Sequence, residues 1–179
     1  MVSIFLSLLL VISPVWPIGE NPLVGDPYII IKKSTNELAF IYEGEVRQVY
    51  DVSTGKTDEL TPEGEHTVTV KAVRPYYRKD NIQGGDKDNP LGSRWIGLDA
   101  DGTDGRIYGI HGTNNPGTIG RYITAGCIRM YNNDVEILFQ EVPLGTKVMI
   151  TSSDASFEEL GVKAGAVKET ESEEENGTQ

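Results

Sequence analysis

Cys127 is the single cysteine of the 179-residue chain, and Ala125 and Gly126 stand directly before it. A thiol attacks acyl groups as the thiolate, so a nucleophilic cysteine needs a base or a positive field close by. The chain has two histidines, His66 and His111. His66 lies in the run GEHTVTVKAV, in period two with Val68, Val70 and Ala72, which is the pattern of a structural side chain on a half-buried strand. His111 instead ends the run RIYGIH and enters the loop GTNNPGTIG. Small residues before Cys127 let backbone N–H groups approach a substrate oxygen, as an oxyanion hole requires. Cys127 as nucleophile and His111 as general base are therefore the candidates for acyl transfer. The alternative for a lone cysteine is a small buried apolar residue. One cysteine rules out an internal disulfide and a multi-cysteine zinc site.

These side chains need elements to place them, and the apolar pattern supplies mostly strands. Tyr28 to Lys33 (YIIIKK) and Glu37 to Tyr42 (ELAFIY), joined by Ser34, Thr35 and Asn36, predict an antiparallel hairpin. Glu45 to Thr54 continues it, and Gly64 to Val73 adds a strand with His66, Val68, Val70 and Ala72 on one face. Tyr76 to Asp104 is a long loop carrying one short strand, RWIGL, and its GDKDN segment is a solvated loop without spaced calcium ligands. Asn133 and Glu136 form a capping box for a helix whose buried stripe is Val135, Leu138, Phe139 and Val142. Lys147 to Thr151 (KVMIT) is the last strand.

The stretch His111 to Met130, HGTNNPGTIGRYITAGCIRM, resembles the signature of the YkuD-type L,D-transpeptidases. There a His-Gly-Thr/Ala element precedes a Ser/Thr-x-Gly-Cys-Ile/Val-Arg/Asn element, and here 16 positions separate His111 from Cys127. Thr61-Pro62-Glu63-Gly64 is similar to that family's TPxG turn, and Asn89-Pro90-Leu91-Gly92 with Trp95 to its loop before the active-site strand. One departure is Ala125, where many members carry a second histidine. The resemblance implies a mostly-β sandwich of mixed sheets with a short helix after the cysteine. It implies a thioester on Cys127 at the third residue of a peptidoglycan stem, loss of D-alanine, and transfer to an amine in a three-to-three cross-link. It further implies that backbone groups of Gly126, Ala125 and Cys127 hold the oxyanion, that the Gly112 carbonyl orients His111, and that Thr124 contacts substrate. For Arg129 two roles stand side by side, a clamp on a substrate carboxylate and a surface ion pair. No metal or organic cofactor is implied. Two other readings are an L,D-carboxypeptidase with water as acceptor and a wall-binding module without turnover.

The bulk numbers set the partners and the boundaries. A net charge of -11 and a pI near 4.6 repel a phosphate backbone, so nucleic acid is no partner. Residues 2–16 form an apolar run too short for a typical span, read as an export signal or anchor over residues 1–22, with any membrane contact confined to 2–16. A buried N-terminal helix is the alternative, opposed by Pro14 and Pro17. The catalytic domain is expected over 26–152, and 153–179 as an acidic, disordered tail. The expected protein is a monomer working on the outer side of the membrane or in the wall.

Overall fold

The computed structural model describes residues 22–169, so the apolar run and the end of the acidic tail lie outside the described residues. In chain order the first strands are β1 (Tyr28–Lys32), β2 (Glu37–Tyr42), β3 (Glu45–Asp51), β4 (Thr54–Gly55) and β5 (Gly64–Val73). They are followed by β6 (Arg94–Leu98), β7 (Tyr108–His111), β8 (Tyr122–Thr124), β9 (Ile128–Arg129), helix α1 (Asn132–Glu141), β10 (Lys147–Thr151) and helix α2 (Phe157–Lys163).

The β1/β2 hairpin forms as its sequence predicts, with Ile29 opposite Phe40 and Ile31 opposite Leu38. Asn36 makes the tight turn in the left-handed region, φ 55, which asparagine tolerates better than most residues. β1 also pairs in parallel with β10, and its apolar run is buried on both faces, as expected of a central strand. Eight strands run in the order β3-β2-β1-β10-β5-β6-β7-β9, and β4 pairs with β8 in a separate two-stranded ribbon.

β5 is the corner of the sandwich. Its first half, Gly64 to Thr67, pairs with β10, and its second half, Val68 to Val73, pairs with β6. The two halves of this curled mixed sheet close on one core that includes Ile29, Ile31, Leu38 and Phe40 from one side and Ile96, Leu98, Ile110 and Ile128 from the other. Each such side chain, taken fully out of water, contributes about 1.5–3 kcal/mol. The register slips between Val68 and Val70, and the extra residue, Thr69, is a bulge. Here the structure corrects the expected single face: Val68 points into the core, whereas Val70 and Ala72 line the cleft that holds Cys127. Lys71 consequently turns toward α1. Its Nζ donates to the carbonyls of Phe139 and Val142 at 2.6 Å each and lies over the Phe139 ring. A cation at the carbonyl end of a helix is favourable, and this one docks α1 on β5.

Two helical expectations are also revised. α1 buries Val135, Leu138 and, at its C-cap, Val142, with Phe139 partly covered, but its N-cap is Tyr131 and no side chain caps it. Asn133 and Glu136 form no box; Glu136 instead faces Arg94 at 3.5 Å. A true capping box sits at Ser156 and Glu159, at the start of α2, inside the segment expected to be a disordered tail. α2 ends in a Schellman motif, with Ala166 N donating to Gly161 O, Gly165 N to Val162 O, and Gly165 at φ +76. Phe157, Leu160 and Ala166 cover Tyr28, Ile30, Ala39 and Ile41 on the outer face of β1 and β2. The folded unit therefore extends to Val167 rather than ending near Ser152. Among the described residues, no helix is long and apolar enough to cross a membrane.

Candidate active site

β7 and β9 are parallel neighbours, with Ile110 opposite Ile128 and His111 opposite Arg129. The two isoleucines face the core, so alternation turns His111 and Arg129 to the opposite face. Cys127, just before β9, opens into a cleft of about 590 Å³ whose apolar wall includes Val70, Ala72, Leu91, Trp95 and Ile107. The two candidates thus share one face of adjacent strands, Cys127 level with Gly109 and His111 two residues further along β7.

His111 is only 4% exposed. Its Nδ1 lies 2.6 Å from the Gly112 carbonyl, which can only accept, so Nδ1 carries the hydrogen and Nε2 keeps a lone pair. The Trp95 ring is stacked on the imidazole at 5.6 Å and 18°, and Trp95 Nε1 is itself fixed by Gly105 O at 2.8 Å. Burial lowers the His111 pKa to about 4; the Gly112 carbonyl works against the shift and the Arg129 charge adds to it. The Cys127 thiol is pushed up to about 11 by burial, while the Gly109 backbone and Arg129 favour the thiolate. At neutral pH both groups are uncharged. The thiol lies 3.4 Å from Ile107 O, and no hydrogen bond joins it to His111 among the described residues. Catalytic hydrogen bonds are often long or misaligned before substrate binds.

The loop leading to Cys127 is clamped by two threonines. Thr124 Oγ1 donates to Cys127 O at 2.7 Å and accepts from Gly126 N at 3.1 Å. Thr61 Oγ1 donates to Gly126 O at 3.0 Å and accepts from Gly55 N at 2.8 Å. Lys33 steadies that turn, with its buried ammonium donating to the carbonyls of Asp58 and Thr61. Gly126 has φ +131, and a Cβ there would lie 2.3 Å from Leu60 O, so only glycine fits. These contacts engage two of the expected site groups within the fold. Thr124, 5% exposed, is an internal clamp whose hydroxyl donates to Cys127 O and accepts from Gly126 N. The Gly126 N–H is likewise taken by Thr124, whereas the Cys127 N–H has no partner among the described residues and remains available as a donor. Ala125 is exposed and brings no side-chain group to the site. Arg129 donates to Thr118 Oγ1 at 2.9 Å, forms no ion pair among the described residues, and keeps a buried, unpartnered Nε.

Residues 26–150 match the family model described as the L,D-transpeptidase catalytic domain, YkuD. The chain belongs to the L,D-transpeptidase family. A Bacillus subtilis (strain 168) protein named for these transpeptidases, YqjB, is 61% identical over 161 residues, covering 90% of this chain and 92% of the relative. YkuD of the same organism is 35% identical over 134 residues, covering 72% of this chain and 71% of that one. Among solved structures, the catalytic domain of the E. faecium L,D-transpeptidase acylated by ertapenem aligns with a TM-score of 0.55 at 22% identity, covering 73% of this chain and 100% of that one. An L,D-transpeptidase from Mycobacterium smegmatis aligns at 0.53 and 18% identity, covering 70% of this chain and 58% of that one. At such identities these structures speak for the fold, which is the mostly-β sandwich expected.

In this L,D-transpeptidase the residue that sequence reading missed is Asn132. Its Oδ1 accepts from Ser93 N at 3.2 Å and Thr113 N at 3.0 Å, and its Nδ2 donates to Thr113 O at 2.9 Å. One amide thereby ties the start of α1 to the loop before β6 and to the loop after His111. The fit is close: a Cβ on Gly92 or Gly112 would lie 2.2 or 2.1 Å from Asn132 Oδ1. The signal in sequence was the pair of glycines at the ends of the NPLG and HG elements, whose lack of a side chain needed a reason. Asn132→Ala removes three hydrogen bonds and leaves partly buried backbone groups unpaired, so it should destabilise the domain by about 1–3 kcal/mol. Thermal melting reads that loss, and turnover should fall with it because the Gly112 carbonyl that holds His111 loses its anchor. A melting temperature equal to that of wild type would show that the three bonds are replaced by water at no cost.

Proposed function

We propose that this L,D-transpeptidase joins peptidoglycan stems through a thioester on Cys127, with His111 as the base. The observation that carries the reading is the neutral, Nδ1-protonated His111 on a strand next to the uncharged thiol. Nε2 takes the thiol hydrogen while sulfur attacks the carbonyl of stem residue three. The tetrahedral oxyanion is met by the free N–H of Cys127. The C–N bond to D-alanine then breaks, and the leaving amine collects the proton from His111. An amine of a second stem attacks the thioester, gives its proton to His111, and the thiol leaves protonated. Arg129, whose Nε has no partner among the described residues, sits at Cys127 as a fixed positive charge that favours the developing thiolate.

The acceptor decides between cross-linking and trimming, since water in place of the amine gives a tripeptide. Purified protein incubated with disaccharide-tetrapeptides should yield dimers joined through residue three, read by mass, with loss of one D-alanine per bond. Tripeptide alone would assign an L,D-carboxypeptidase, and unchanged tetrapeptide would leave a wall-binding module. The E. faecium domain is described as acylated by ertapenem, and the same adduct on Cys127 is expected here. Because the substrate is assembled outside the cytoplasmic membrane, delivery by residues 2–16 belongs to the proposal.

A further inference from the structure

The cleft that opens on Cys127 has the opposite charge from the chain around it. The sequence carries 16 Lys and Arg against 27 Asp and Glu, yet the charged residues lining the cleft are Arg78, Lys79 and Arg106, with no carboxylate among them. Arg106 is paired with Asp104. Arg78 and Lys79 form no ion pair among the described residues. They are not on a loose strand of loop. Tyr77 and Ile82 exchange backbone hydrogen bonds of 2.9 and 3.0 Å, closing a small hairpin whose tip bears both cations. The buried Asn89 fixes the base of that hairpin, donating to Pro75 O at 2.8 Å and to Gln83 O at 3.1 Å.

Two cations without ion-pair partners among the described residues, held on the wall of a cleft in an acidic protein, fit an anionic ligand, and low-dielectric walls strengthen their field. We infer that Arg78 and Lys79 bind a side carboxylate of the donor stem, so that the enzyme selects stems carrying free carboxylates at residues two and three over amidated ones. This rests on the donor-stem reading above. The carboxylate of the departing D-alanine is present in both kinds of stem and cannot discriminate them. A charge-assisted hydrogen bond in a half-open cleft gives a preference of about tenfold, and added salt should weaken it.

The test compares synthetic tetrapeptide donors that differ only in carboxylate or carboxamide at residue two or three. Wild type should show about a tenfold higher kcat/KM for the carboxylate donor, and Arg78→Gln with Lys79→Gln should bring the two donors together. Arg78→Lys, which keeps the charge, should keep most of the preference. Equal rates for both donors in wild type overturn the inference. So does a preference that survives in the double variant, or an equal slowing of both donors, which would assign the cations to the terminal carboxylate. A wild-type enzyme that converts neither donor overturns the donor-stem reading itself, and the inference with it.

Discussion

Cys127→Ser should yield a folded protein that forms no acyl-enzyme. Cross-linking should fall by at least about 10³-fold, because a hydroxyl is far harder to deprotonate than a thiol and replaces the nucleophile of a concerted set. The site makes the loss severe. A buried imidazole with a pKa near 4 is a weak base, adequate for a thiol during attack and poor for an alcohol. The fold should hold, since the thiol's contacts with Ile107 O at 3.4 Å and with the Gly109 backbone are open to a hydroxyl as well. Intact-protein mass after exposure to tetrapeptide or to a carbapenem reads the result. A serine variant that kept most of its turnover would remove Cys127 from the mechanism.

His111→Ala should cost about 10²- to 10⁴-fold in rate, the range for a general base. His66→Ala should not. His66 is buried beside β10 with Nε2 3.1 Å from Pro62 O, so its loss should lower the melting temperature by the worth of about one hydrogen bond and leave kcat nearly unchanged. Comparable rate losses in two stable variants would mean the roles are divided wrongly. The pH dependence gives a second reading of His111. Its pKa falls from 6.5 to about 4 on folding, so between those values the unfolded chain binds more protons than the folded one. The stabilisation is complete above pH 6.5 and disappears as pH falls toward 4, a swing of about 3 kcal/mol. His111→Gln should flatten that part of the stability profile. A profile unchanged by the substitution would place the acid sensitivity in other groups.

Much of this architecture was legible because the pattern was local. The hairpin of β1 and β2 showed in its apolar runs and its Asn36 turn, and α1 showed in the stripe of Val135, Leu138 and Val142. Motif spacing pointed to Cys127 and His111, which the fold sets on one face of adjacent strands. What stayed hidden depended on partners far away in sequence. Nothing in GEHTVTVKAV announces a bulge at Thr69, since the alternation continues through it while the face it serves changes. Asn132 resembles any polar residue at a helix start until Gly92, Ser93 and Thr113 stand around it. α2 was masked by its own charge. Phe157 and Leu160 are too few to form a stripe among Glu158, Glu159 and Lys163, although the Ser156 and Glu159 box that starts the helix is local and was there to be found.

The helix that closes on β1 and β2 changes what counts as a minimal enzyme. The family match ends at residue 150, and every residue proposed for chemistry lies before that point. A protein cut there would retain Cys127, His111 and their clamps, yet it would present Tyr28, Ile30, Ala39 and Ile41 to water along two neighbouring strands. Such a strip of bare apolar sheet is an invitation to self-association. Solubility and catalysis are therefore encoded in different parts of this chain, and a truncation screen should lose the first before the second.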